Sequence, residues 1–481
     1  VLEQAPVRWL FRHVIDVKAA RRKILDVVRK RLYNELIVRN PDDRPSSVQT
    51  IKYQYMLGLL NRLDISIERG IIAPKVMDRL LDVVVENIIS HRDEQEEDAK
   101  QRLGFDPPLL LLISPTGKCN LRCKGCYAAS DPSHHVNMDS DVFDRILTEK
   151  RELWNSHFTA ISGGEPFLWY HNGMNLLDMV EKHSSELFMV YTNSTLMNDE
   201  LVGRMAELGN ITPVVSVEGF KKETEDRRGK GVFEKILKAF ELFRDHGVPF
   251  GISATPTQDN WRTITSDEFV DFYFDEQGAF YAWMFQYMPI GRGRSLEMMP
   301  SPEERIEMLD RTRRLVEERE IFLADFWNSG LASNGCICAG RPKGYFFIDW
   351  NGDAMPCVFI PYAADNMYDV YERGDDINAV LRTPFFSRSR NWQDKHGFAT
   401  SAEDVKNWLA PCPIRDHFGF MKSVIAETNP RPVNQDAENA ASDEPFHSGM
   451  VHYGKRIHEL TQPVWDEKYS AKAPATESAG K

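Results

Sequence analysis

Residues 113–130, ISPTGKCNLRCKGCYAAS, gather three of the chain's seven cysteines, Cys119, Cys123 and Cys126, into one short loop. The loop follows directly on an apolar run, PPLLLLIS, and has no fourth cysteine beside it. A structural zinc site normally closes a tetrahedron with four ligands drawn from paired C-x2-C spacings. Three thiolates after a strand suit an iron–sulfur cube better, with three irons tied to protein and the fourth open to an exchangeable ligand. A zinc loop completed by a distant residue is the alternative reading.

Downstream, short apolar runs alternate with amphipathic helical stretches. The runs LLLLIS, FTAISGGEP, LFMVYTNST, TPVVSVEG, VPFGISATPT and AWMFQYMPIGR are separated by segments such as VFDRILTEKRELW and GVFEKILKAFELFRDHG. Regular β-α alternation with buried strands predicts a parallel sheet covered by helices. Each run ends in a polar or Gly-rich group, and such folds gather their chemistry at the carboxyl ends of the strands. Six decorated strands predict an α/β fold, a partial (β/α)6 barrel with a single mouth. The second run ends in SGGEP, where two glycines let backbone approach a ligand closely.

The C-x3-C-x2-C loop followed by GGEP at the next strand end resembles the radical S-adenosylmethionine (SAM) superfamily, over about residues 108–295. The resemblance implies a [4Fe–4S] cluster on Cys119, Cys123 and Cys126 with SAM on the open iron. It further implies reductive cleavage of SAM and hydrogen abstraction from an unactivated carbon by the 5′-deoxyadenosyl radical. Backbone carbonyls of Gly163, Gly164, Glu165 and Pro166 would receive the SAM ammonium. Asn193, Ser216 and Glu218 match positions that contact ribose and carboxylate in relatives, and Arg228, preferred to Arg227, matches the arginine that forks onto the SAM carboxylate. Family members often carry an aromatic residue before the third cysteine, where this chain has Gly125 and places Tyr127 after it.

The remaining cysteines lie in NGCICAG, GDAMPC and APCPIRDH. Cys338, Gly352 and Cys357 read C-x13-G-x4-C, similar to the opening hairpin of the auxiliary-cluster extensions called SPASM and twitch, with a turn at Asn351-Gly352. This resemblance implies one auxiliary [4Fe–4S] cluster on Cys338, Cys357, Cys412 and Cys336. Residues two apart on an extended strand point to opposite faces, so either Cys336 or Cys338 could be a spectator. If Cys336 is the spectator, the fourth iron is open or takes Asp416 or His417. Unrelated buried cysteines and a structural zinc are the bland alternatives.

The expected organisation is a helical segment over residues 1–100, the barrel over 108–325, the auxiliary extension over 330–425 and a polar tail with one short helix over 426–481. A net charge of −13 argues against the whole chain following a nucleic-acid backbone. No apolar run is long enough to span a bilayer, and clustered cysteines suit a reducing, cytoplasmic setting. The first forty residues oppose the overall charge, with roughly ten Lys/Arg against about four Asp/Glu. Residues 8–37, led by Trp9 and Phe11, could lie on an anionic membrane, or pack on the barrel with their charges solvated. The expected substrate is apolar, a lipid joined or desaturated at unactivated carbon. A peptide or protein to be matured and a non-enzymatic electron carrier are the alternatives. Flavodoxin or ferredoxin would supply electrons. No substrate acid or base can be named.

Overall fold

The computed structural model describes residues 17–82 and 92–471. All six expected strands form: β1 (Leu110–Ile113), β2 (Phe158–Ile161), β3 (Leu187–Thr192), β4 (Ile211–Val217), β5 (Gly251–Ala254) and β6 (Ala282–Met284). They lie parallel and side by side in chain order, with Leu112 opposite Ala160 and Ser216 opposite Ser253. Apolar side chains on both faces bury them, as a helix-covered parallel sheet requires.

The sheet does not stop at six strands. β7 (Leu323–Asp325) continues it in parallel beyond β6. At the other edge, β8 (Phe347–Ile348) runs parallel to β1 and is followed by antiparallel β9 (Asp353–Met355) and β10 (Asp365–Asn366). The expected hairpin at Asn351-Gly352 is therefore β8–β9, and it extends the barrel sheet to ten strands. Gly352 is required at its turn: φ is +81°, and a Cβ would lie 2.6 Å from the Tyr368 ring.

Helices α3 (Ser140–Trp154), α4 (Leu176–Lys182), α5 (Asp199–Leu208) and α7 (Val232–His246) fill the crossovers, with the short α6 (Lys221–Arg228) before α7. In α7, Phe233, Ile236, Phe240 and Phe243 recur at helical spacing and are buried. Each contributes on the order of 1.5–3 kcal/mol relative to exposure. Helix α8 (Pro302–Arg319) begins at a capping box: the Glu304 amide donates to Ser301 Oγ (3.2 Å), and the Ser301 amide donates to the Glu304 carboxylate (2.9 Å).

The N-terminal region is helical where described. In α1 (Lys18–Tyr33), Leu25 is buried and Arg21 donates to Asp64 of α2 (Ser46–Glu68) at 2.5 Å. Gly58 brings α2 against the chain entering β7, where a Cβ would stand 2.4 Å from the Ile321 carbonyl carbon. The described part of the basic segment thus packs on a neighbouring helix; Trp9 and Phe11 lie outside the described residues. Among the described residues no helix is long and apolar enough to cross a membrane.

The C-terminal segment differs from expectation. In place of one short helix it holds α11 (Glu444–Lys468), a 25-residue helix after a shorter one over Gln435–Ala441. Phe446, Met450, Ile457 and Trp465 of α11 are buried, and the helix packs on α8 and on α10 (Phe418–Thr428). Charged residues between these apolar positions give the segment a polar composition that hides an amphipathic stripe.

Candidate active site

The cysteine loop joins β1 to α3 at the mouth of the sheet. It is stitched to the GGEP turn by two backbone bonds, Gly164 N–H to Thr116 O (2.9 Å) and Glu165 N–H to Lys118 O (2.8 Å). This contact explains the second glycine: a Cβ on Gly164 would lie 2.1 Å from the Lys118 carbonyl oxygen. Cys119 is buried, and burial pushes its thiol up to about 12; Cys123 and Cys126 are half-buried. Gly125 has φ +61°, and a Cβ there would meet the Tyr287 ring at 2.6 Å. Tyr287 therefore occupies the space beside position 125. Tyr127 is half-buried, with its hydroxyl 3.2 Å from Ser162 Oγ and its ring edge-on to Phe359.

A cavity of about 180 Å³ opens under this loop. Cys119, Cys123 and Cys126 line it together with Gly163, Gly164, Asn193, Ser216 and Arg228. Glu165, Pro166 and Glu218 are not among the residues that line it. Glu165 is fully buried and accepts from Thr192 Oγ1 (2.8 Å) and the Asn193 amide (2.8 Å), which clamps the end of β3. Burial pushes its carboxyl up to about 7 against those hydrogen bonds. Pro166 opens a single 3-10 turn whose Phe167 amide donates to Glu165.

Glu218 is a counter-ion. Both Arg227 and Arg228 ion-pair with its Oε1, Arg228 donating through Nε at 2.9 Å. The Thr255 amide takes its other oxygen at 3.2 Å. Burial would lower Arg228, but Glu218 and the Cys123 thiol favour its charge and hold it raised. Arg227 and Arg228 both line the cavity. Arg227 also donates to the carbonyls of Lys124 (3.2 Å) and Gly125 (3.4 Å), tethering the cysteine loop. Asn193 turns the same way, donating to Asn120 Oδ1 at 2.8 Å and approaching Cys119 Sγ at 3.8 Å.

A second cavity, of about 350 Å³, is lined by Cys336, Cys338, Cys357 and Cys412. Cys336 is not turned away. Residues 336–338 belong to no strand, Ala339 follows at φ +59°, and both cysteines line the cavity. Asp416 and His417 are committed elsewhere. Asp416 is ion-paired with Arg305, both fully buried, and His417 Nε2 is 2.9 Å from the Ala410 carbonyl. Donors reach two sulfurs, Tyr345 Oη at 2.9 Å from Cys357 Sγ and Gln393 Nε2 at 3.3 Å from Cys338 Sγ.

Among the described residues, no three His, Cys, Asp or Glu side chains close tightly enough to grip a single metal ion. Thiolates on separate irons of a cube stand further apart than that. The donor sets fit two such groups: three cysteines lining a cavity with two glycines and an arginine, and four cysteines lining the other.

Sequence reading missed the link between the cavities. Gln286 lines the first and donates to Asp325 of the second at 2.7 Å, while Phe359 lines both. Asp325 is fully buried and its carboxyl is raised, burial outweighing the Gln286, Trp327 and Asn328 donors. No motif marks either residue; Gln286 lies just past the end of β6 and Asp325 at the end of β7, and the pairing of those strands brings them together.

Residues 113–267 match the family model described as the Radical SAM superfamily. These residues are a radical SAM domain. The cysteine-bearing region C-terminal to it is a SPASM/twitch-like extension, and the cofactors of this radical SAM enzyme are a [4Fe–4S] cluster and SAM, with four further cysteines consistent with an auxiliary cluster. The chain is similar to the AdoMet-dependent heme synthase of Methanosarcina barkeri, 27% identical over 292 residues, 54% of this chain and 79% of the relative. The mycofactocin maturase MftC of Mycobacterium ulcerans is 26% identical over 269 residues, 53% and 70% of the two chains. The cysteine-type anaerobic sulfatase-maturating enzyme of Clostridium perfringens is 30% identical over 190 residues, 36% of this chain and 50% of that one.

Proposed function

We propose that this radical SAM enzyme is a maturase, oxidising an unactivated carbon of a peptide or protein. One observation carries the reading: a cavity for SAM and a cavity walled by four cysteines stand back to back, sharing Phe359 and bridged by the Gln286–Asp325 hydrogen bond. Two of the three relatives described above are maturases by name, which supports a peptide over the lipid of the first expectation.

In this reading Cys119, Cys123 and Cys126 hold the SAM-binding cluster, and Cys336, Cys338, Cys357 and Cys412 hold the auxiliary one. When bound, the first with SAM supplies the 5′-deoxyadenosyl radical that takes a hydrogen atom, and the second supplies an acceptor for the electron that the substrate then gives up. Arg228, held against Glu218, binds the SAM carboxylate. Gly163 and Gly164 present backbone to the SAM ammonium, while Asn193 and Ser216 stand toward its ribose. Glu165 and Pro166 position that backbone from behind. Phe285, Tyr287 and Phe359 wall the SAM side with apolar surface and exclude water from the reacting carbon.

A lipid substrate keeps one supporting observation, the almost wholly apolar wall of the second cavity, which includes Trp283, Phe322 and Phe326. The test uses deuterated candidates with reduced enzyme and SAM. Deuterium is expected in 5′-deoxyadenosine from a precursor peptide encoded beside the gene. Transfer from lipid extracts, with none from any such peptide, would overturn the maturase reading.

A further inference from the structure

Two guanidinium groups hold the backbone of the Cys336–Ala339 segment, which carries two of the cysteines of the second cavity. Arg341, fully buried, donates through Nε to the Cys336 carbonyl at 2.6 Å and through Nη1 to the Pro342 carbonyl at 2.9 Å. Arg390, half-buried, donates to the Ala339 carbonyl at 3.0 Å. Each also lies over an aromatic ring, Phe398 for Arg341 and Phe105 for Arg390. Neither forms an ion pair among the described residues. Half-buried Lys52 lines the same cavity and, among the described residues, forms neither a hydrogen bond nor an ion pair.

Among the described residues no carboxyl group stands within ion-pair distance of these cations, although Asp42 acts on Lys52 and Asp394 on both arginines from further off. Asp416 is consumed by Arg305, and Asp325 by Gln286 and two backbone amides. Asp394 feels Arg390 and Arg341 but is ion-paired to neither, and burial holds its carboxyl raised. An unpaired buried charge is among the costliest features a fold can keep. An anion held by the four cysteines would supply the opposing charge that these cations lack. Four thiolates around an iron–sulfur cube leave a net negative charge that grows on reduction, and positive charge or hydrogen bonds at the sulfurs then favour the reduced form.

Resting on the maturase reading, we propose that Arg341 and Arg390, with Lys52 at the cavity edge, are the counter-charges of the auxiliary cluster. Together with Tyr345 Oη and Gln393 Nε2 at its sulfurs, they raise its potential so that it accepts electrons. These are positioning residues for redox chemistry; they touch neither SAM nor substrate in this account.

The test is an EPR-monitored redox titration of the full chain carrying Cys119→Ala, Cys123→Ala and Cys126→Ala, so that only the auxiliary cluster is read. Adding Arg341→Met is expected to lower the reduced-to-oxidised ratio at fixed potential about tenfold, ~59 mV for a one-electron couple. Arg341→Lys recovers most of that shift, and Tyr345→Phe shifts the cluster the same way by less. Full auxiliary iron with an unmoved potential in Arg341→Met overturns the proposal. Where Arg341→Met fails to retain the cluster, Arg341→Lys decides. Retention near the parent potential supports a charge role, and equal loss overturns it. A parent chain that binds no cluster overturns the maturase reading itself, and this inference with it.

Discussion

Gly164→Ala is expected to abolish assembly of the SAM site while leaving most of the fold intact. The new Cβ would stand 2.1 Å from the Lys118 carbonyl oxygen and 2.4 Å from its carbon, both backbone atoms that cannot swing aside. Overpacking of this kind typically costs about 1–3 kcal/mol. Its relief would separate the GGEP turn from the cysteine loop, breaking the bonds at Thr116 O and Lys118 O. Displacing the cysteines by an ångström from their productive arrangement costs roughly 10²-fold in rate. The measurement is 5′-deoxyadenosine formation beside thermal unfolding. Gly419→Ala is the control, because a Cβ there meets nothing, and it leaves both readings unchanged. Undiminished SAM cleavage in Gly164→Ala would show that the two loops need not touch.

Arg305→Met is expected to give the largest loss of stability. Its guanidinium, fully buried, binds both oxygens of Asp416, the Leu409 carbonyl (3.1 Å) and Asn328 Oδ1 (2.9 Å). Asp416 in turn accepts from the Cys412 amide at 3.0 Å, so the pair anchors an auxiliary cysteine to α8. Removing one partner of a buried pair strands the other and costs about 3–5 kcal/mol. Arg305→Met combined with Asp416→Leu is expected to recover part of that loss, since no charge is then left buried. The same pair has a pH signature. Burial pushes Asp416 up, but the Arg305 charge and its hydrogen bonds outweigh it and hold the carboxyl below its ordinary range. A depressed carboxyl stabilises fully above the unfolded value of about 3.9, and that stability is lost as pH falls below it. Denaturant unfolding of Asp416→Asn against the parent should therefore converge toward acid. A difference that stays constant from neutral pH down to acid would remove the ion pair from the account.

How much of this was legible depends on how local the signal is. The cysteine loop and β1–β6 were readable because continuous apolar runs and a short ligand spacing are properties of neighbouring residues. The hairpin β8–β9 was readable from its Asn351-Gly352 turn, but β7 and β10 were not, since two or three residues such as Leu323–Asp325 carry no periodicity. Glu218 ends a strand beside true cavity residues, and nothing local says that its side chain turns back onto Arg227 and Arg228. Local sequence left open whether Cys336 or Cys338 turns away, because alternation applies only within a strand, and residues 336–338 belong to none. Arg341 and Arg390 lie far apart in sequence, and only folding brings both to the Cys336–Ala339 segment.

The most direct measurement reconstitutes the full chain without oxygen, counts iron and sulfide, then adds dithionite with SAM and assays 5′-deoxyadenosine. Two cubes predict about eight irons per chain with deoxyadenosine formed, falling to about four without product when Cys119, Cys123 and Cys126 are all replaced by alanine. About four irons in the unsubstituted chain, all lost on that replacement, would contradict the auxiliary cluster. A chain carrying both clusters that forms no 5′-deoxyadenosine, with or without candidate substrates, would contradict the enzyme itself.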